Sequence, residues 1–176
     1  LIMPHIENII KKYPLTNFFI IPRHPERSKM IFDMLKSKAL NVGLHSKVKN
    51  HKFQFLIIDS FGKMDEFYNK SDIVILGGSF TNNGGHNPIE AAVANCAILT
   101  GPNVFNWQNL YEDMMDKNCC LIIKNSKELE HNIINLIEDK SLISNLKQNA
   151  LSFSESVFFD ENKLLSIINS KLKYNA

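Results

Sequence analysis

The chain is 176 residues long, 44% hydrophobic and 22% charged, with 20 Lys+Arg against 18 Asp+Glu for a formal net charge of +2. That composition is of the ordinary globular kind and excludes collagen-like, disordered and disulfide-scaffold classes. So small a net charge excludes a general electrostatic grip on nucleic acid or an anionic membrane, and any handling of anions must be local. Three cysteines, Cys96, Cys119 and Cys120, two of them adjacent in an apolar run, predict reduced thiols and a cytosol-facing protein. They lack zinc-ligand spacing, so no metal is expected. No apolar stretch nears the ~20 residues of a membrane helix, and no charged start followed by an apolar core reads as a signal peptide. The first residue is Leu1, already in a helix-like pattern, which leads us to expect a piece of a longer protein.

In chain order, Ile6, Ile9, Ile10 and Tyr13 recur at helical spacing, and the continuous apolar run 18–21, bounded by Pro22, predicts a buried strand. Residues 26–38 return to helical spacing, 55–58 form a second buried run, 62–69 read as helix, and 73–76 end at Gly77-Gly78 as a third strand. A Gly- and Asn-rich loop leads to a short helix over 88–95, a strand over 97–99, a helix over 106–115 and a strand over 119–123. Further helices are expected around Leu129, Ile133 and Leu136, then over 142–151. A break over 152–160 precedes a last amphipathic helix at about 160–174 that packs on this domain or toward a missing one. Strands apolar on both faces and alternating with helices imply a parallel sheet covered on both sides. The fold expected is therefore a single α/β domain over residues 1–176, a Rossmann-like parallel sheet with helices on both faces. In such sheets ligands bind beyond the carboxyl ends of the strands.

Two strand ends carry the chemistry, while Asp59-Ser60-Phe61-Gly62-Lys63-Met64 after the second strand reads on its residues as a strand-to-helix turn. Pro22-Arg23-His24-Pro25-Glu26-Arg27 holds both arginines of the chain. Arginine suits forked recognition of phosphate or carboxylate, and the prolines stiffen the turn. Glu26 and Arg27 fit a helix start, which leaves Arg23 and His24 as binding candidates beside Pro22. The segment from Gly77 through Gly78, Ser79, Gly84, Gly85, His86, Asn87 and Pro88 to Glu90 runs from a strand end through paired glycines into a helix, a ready phosphate cradle. Glu90 stands equally between closing a capping box with Asn87 and accepting hydrogen bonds from two sugar hydroxyls. Gly101-Pro102-Asn103-Val104-Phe105-Asn106-Trp107 reads as a packed turn.

Taken in order, Pro-Arg-His-Pro-Glu-Arg from residue 22, Asp-Ser-Phe-Gly-Lys-Met from 59, Gly-Gly-Ser-Phe from 77 and Gly-Gly-His-Asn-Pro-Ile-Glu from 84 resemble the carboxy-terminal half of bacterial 3-deoxy-D-manno-octulosonic acid (Kdo) transferases. The motifs cover about residues 18–107. The resemblance implies the nucleotide-sugar half of a GT-B fold, with CMP-Kdo as donor, a lipid A precursor as acceptor, and membrane contact on the cytoplasmic face of the inner membrane only through a missing domain. By the same resemblance Arg23 and His24 face the CMP phosphate and Gly62, Lys63 and Met64 read the cytosine. Residues 84–87 approach phosphate and ribose, and Glu90 binds the ribose hydroxyls. It further implies inversion at the anomeric carbon without cofactor or metal, with the catalytic base in the other domain, so that this chain alone would bind CMP and transfer nothing. Two departures stand out: Lys63 replaces the usual Glu, and Asn95-Cys96-Ala97 replaces the usual Gly-x-Pro. The residues also admit a GT-B transferase or epimerase using a UDP or GDP sugar, or a non-catalytic nucleotide-binding or interaction module.

Overall fold

The computed structural model describes the backbone of residues 3–48 and 53–173 and side chains from His5 to Val157 among them. Two compact units emerge, Leu1–Lys70 and Ser71–Ala176. Each is a three-stranded, all-parallel sheet with helices packed on it, so the parallel α/β architecture is distributed over two sheets.

In the first unit α1 (Met3–Lys12), β1 (Phe18–Ile20), α2 (Ser28–Ser37), β2 (Val42–Leu44), β3 (Phe55–Ile57) and α3 (Met64–Tyr68) follow one another. The strand order is β1-β3-β2, with Phe18 and Val42 both level with Phe55. Because side chains alternate along a strand, the central strand divides the core in two. Phe55 and Ile57 pack with Leu35, Val42, Ile6, Ile10 and Ile31, beneath α1 and α2. Leu56 and Ile58 pack with Phe67 of α3, Phe19 and Ile21 on the other face. Ring pairs follow the same parity: Phe18 stacks on Phe55 at 5.2 Å, and Phe19 meets Phe67 edge-on at 4.9 Å. The expected helix over 26–38 starts later, because Pro25–Arg27 form a 3-10 turn and α2 begins at Ser28.

The second unit runs β4 (Ile73–Leu76), α4 (Ile89–Val93), β5 (Ala97–Thr100), α5 (Gln108–Asp116), β6 (Cys120–Ile122), α6 (Ser126–Glu138) and α7 (Lys140–Lys173), with strand order β4-β5-β6. All four residues of β5 are fully buried, since α4 and α7 pack on it and α5 packs on β6. The break expected over 152–160 is absent: α7 is one helix of 34 residues. No glycine or proline follows Pro102. The serines of this segment are absorbed by bonds to the preceding turn, Ser154 Oγ to the Leu151 carbonyl at 2.7 Å and Ser156 Oγ to that of Phe153 at 2.6 Å. The packing expected for the helix face at about 160–174 concerns side chains outside the described residues. Among the described residues no helix is long and apolar enough to cross a membrane, and the three cysteines are free and buried.

Candidate nucleotide-binding site

The loop after β4 is fastened to the loop after β5. Ser79 is fully buried. Its hydroxyl donates to the Leu76 carbonyl at 2.7 Å and accepts from the Gly101 amide at 2.7 Å, and its carbonyl accepts from the Asn103 amide at 3.0 Å. The Ser79 side chain is thus engaged inside the protein, where it anchors the loop. Asn106 does the same further along, its amide donating to the Gly84 carbonyl at 3.1 Å and its Nδ2 to the Asn83 carbonyl at 3.0 Å. Tyr111 of α5, fully buried, donates from its hydroxyl to the His86 carbonyl at 2.9 Å, and burial pushes its phenol up to about 12.

Gly84 is the residue this close approach requires. Its φ of +78° lies in the left-handed region, and a Cβ there would run into the Asn106 amide and the Phe105 ring. The backbone of residues 83–86 is therefore held by its carbonyls, while the amides of Gly84, His86 and Asn87 meet no acceptor among the described residues. The Gly85 amide turns inward to the Gly78 carbonyl, and the half-buried His86 ring lies against Gly78. Gly84 is buried, so the adjacent amides of His86 and Asn87, on half-buried residues, are the ones a fixed loop could offer to an anion.

Asn87 caps the following turn, with Oδ1 accepting from the Ile89 amide at 3.0 Å. The reciprocal half of the expected capping box is missing. Glu90 is exposed and its carboxylate takes no hydrogen bond among the described residues. The chain shows elsewhere what a completed cap looks like. Asn125 Oδ1 accepts from the amides of Lys127 and Glu128, and the Glu128 carboxylate accepts from the Lys124 amide at 2.8 Å and from Asn125 Nδ2. Pro88, buried, starts the turn, but α4 is only five residues long. Its dipole is correspondingly small.

In the first unit, Arg23 and His24 follow β1 and are exposed, with His24 Nδ1 3.5 Å from the Glu26 carboxylate. Pro22 is half-buried. Gly62, Lys63 and Met64 follow β3, the neighbour of β1 in a parallel sheet, so both turns leave the same sheet edge. Lys63 Nζ lies 3.3 Å from the Glu66 carboxylate, which Lys70 also approaches at 2.7 Å. Asn106 and Tyr111 escaped the sequence reading, because clamping a backbone across about 20 residues leaves no local motif. Asn and an aromatic after a Gly-Pro turn were the only signal.

No family model matches the chain. It is 32% identical over 161 residues to 3-deoxy-D-manno-octulosonic acid transferase of Rickettsia prowazekii, covering 88% of this chain and 34% of that one. It is 30% identical over 135 residues to the transferase of Haemophilus influenzae, covering 75% and 32%. The chain thus spans about a third of the length of these curated relatives. Among solved structures it resembles the C-terminal CMP-Kdo binding domain of WaaA from Acinetobacter baumannii, with TM-score 0.79 and 24% identity over 85% of this chain and 79% of that one. It also resembles the C-terminal domain of the glycosyl transferase group 1 family protein LpcC from Francisella tularensis, with TM-score 0.63 and 20% identity over 88% and 75%. Sequence matches and fold together make this chain a relative of the 3-deoxy-D-manno-octulosonic acid transferases, corresponding to about a third of their length and sharing the fold of a glycosyltransferase carboxy-terminal domain.

Proposed function

We propose that the chain is the donor-binding part of an inverting glycosyltransferase that moves Kdo from CMP-Kdo to a lipid A precursor, on the cytoplasmic face of the inner membrane. The two units together make up one CMP-sugar-binding domain. The observation that carries this reading is an exposed Glu90 with no hydrogen-bond partner among the described residues, three residues beyond the adjacent amides of His86 and Asn87, which meet no acceptor among them either. A carboxylate there accepts from both ribose hydroxyls, and the amides of His86 and Asn87 take the phosphate. Ser79 anchors this loop from behind, while Gly78, Gly85 and Pro88 shape it. In the first unit Pro22 presents Arg23 and His24 as anion ligands, and residues 62–64 present backbone groups for a base.

The chemistry follows from the leaving group. The bond between the anomeric carbon of Kdo and a CMP phosphate oxygen breaks with its electron pair going to the phosphate, while the acceptor hydroxyl oxygen forms the new bond. Negative charge grows on the departing phosphate, where fixed amides stabilise it more than they stabilise the ester. The acceptor's proton goes to a carboxylate base in the part of the relatives' length that this chain does not span, and acceptor and membrane contacts belong there too.

Calorimetric titration tests the reading. The chain is expected to bind CMP at least tenfold more tightly than UDP or GDP. Arg23→Ala, which removes charge-assisted hydrogen bonds of about 1.5–3 kcal/mol, is expected to weaken CMP roughly 10- to 100-fold. Preference for UDP would favour a different GT-B enzyme. No heat with any nucleotide would favour an interaction module.

A further inference from the structure

Asp59 sits two residues beyond β3 and bridges two strand ends. Its Oδ1 accepts from the Ser46 amide at 2.9 Å and its Oδ2 from the Ser46 hydroxyl at 2.5 Å. Ser46 belongs to the 3-10 turn His45–Lys47 that follows β2, the strand beside β3 whose Leu44 is level with Ile57. On the opposite side the Ile58 amide donates to the Ile20 carbonyl at the end of β1, at 2.9 Å. Residues 58 and 59 are therefore tied to both neighbouring strands just where the segment 60–64 leaves the sheet. The far end of that segment is fixed as well: Lys63 accepts at its carbonyl from the Phe67 amide, and Phe67 is buried against Phe19, with the His45 ring edge-on at 5.4 Å. Between these anchors Phe61 and Gly62 are exposed. A turn fixed at both ends and open at its apex is a preorganised presenter of backbone donors and acceptors.

We propose that Asp59 is a positioning residue for base recognition, holding the turn 60–64 through Ser46 in the shape that reads cytosine. This rests on the assignment of that turn to the base made above. The carboxylate fits its task because one residue, Ser46, supplies two donors that match its two oxygens. Burial alone would raise the Asp59 carboxyl, but the Ser46 hydroxyl and amide outweigh it and hold the group below its ordinary value, so the latch is charged at neutral pH. Without it the turn must be ordered by the ligand, and binding weakens by the entropy of that ordering.

The test compares CMP with ribose 5-phosphate, which lacks the base, by calorimetry on the full chain. Asp59→Ala is expected to weaken CMP roughly tenfold and leave ribose 5-phosphate within about twofold, because only the base-reading turn is loosened. Asp59→Asn keeps the acceptor for the Ser46 amide and is expected to fall between. Ser46→Ala, at an exposed position, removes one bond of the two and gives the same selective loss if Asp59→Ala does not fold. Equal losses on both ligands, or undiminished CMP binding, overturn the positioning role while wild-type CMP binding keeps the functional reading standing. Wild-type protein that binds both ligands equally, or neither, overturns the assignment of the turn and the inference with it.

Discussion

Glu90 and Glu128 are the same residue type, each three residues after an asparagine at a helix start, yet only Glu128 completes a cap: α6 is capped by extended Asn125, whereas α4 starts from Pro88 and Glu90 is its second residue. Sequence alone could not choose between capping and sugar binding for Glu90, because Asn87-Pro-Ile-Glu90 has the spacing of either. In the structure Glu90 makes no cap bond among the described residues, which leaves its carboxylate open to the proposed sugar contact. Glu90→Gln is therefore expected to weaken CMP roughly 10- to 100-fold, the loss of a charge-assisted pair, with no change in melting temperature. Asn125→Ala is expected to reverse the pattern, lowering stability by about 1 kcal/mol with CMP affinity unchanged. Melting curves and titrations on the two variants check both. A second residue-scale point concerns Asn95, which stands where the resembled family carries glycine. Its φ is +56°, a left-handed helix terminus with the Cys96 amide bonded back to the Ala91 carbonyl. Asparagine is the side chain that tolerates this conformation best after glycine, so the departure leaves the turn intact.

At the scale of elements, the strands legible in sequence were those whose residues are apolar on both faces: 18–21, 55–58, 73–76, 97–99 and 119–123. All five correspond to strands of the fold. The strand that went unread, β2, is three residues with a glycine at its centre. A Cβ at Gly43 would strike the Phe53 ring at 2.8 Å, so the feature that hid the strand is what lets the ring pack over it. The opposite holds for α7, where the helical pattern of apolar residues is interrupted over 152–160 but no glycine or proline breaks the backbone, so one helix runs through. Strands β5 and β6 also bear on pH. Burial pushes the Cys96 thiol beside β5 up to about 11 and that of Cys120 in β6 up to about 12, and raises Cys119. The folded state thus favours the neutral thiols. Their stabilisation is complete below the ordinary value of 9.0 and is lost as pH rises from there toward 11–12. Thermal midpoints are expected to hold up to about pH 9 and fall above it, and a thiol reagent at pH 8 is expected to label the three cysteines only as the protein unfolds. Rapid labelling of native protein would contradict the burial.

For the molecule as a whole, function is divided between scaffold and loops. Two parallel sheets with cores on their faces hold loops at strand ends, and those loops carry exposed polar groups whose backbones are pinned from behind by Ser79, Asn106 and Tyr111 in one unit and Asp59 in the other. A net charge of +2 gives no broad anionic attraction, so affinity has to come from these few groups. The chemistry-bearing motifs were legible because glycine, arginine and proline are punctuation a sequence displays. Asn106 and Tyr111 were not, because each acts across 23 or 25 residues on a backbone carbonyl, a group every residue carries. The measurement that tests the central claim most directly is an amide chemical-shift titration of the chain with CMP. The expected result is that the amides of His86 and Asn87 move along one saturating curve while those of α6 stay still. Shifts concentrated in α6, or still amides at 86 and 87, would contradict it.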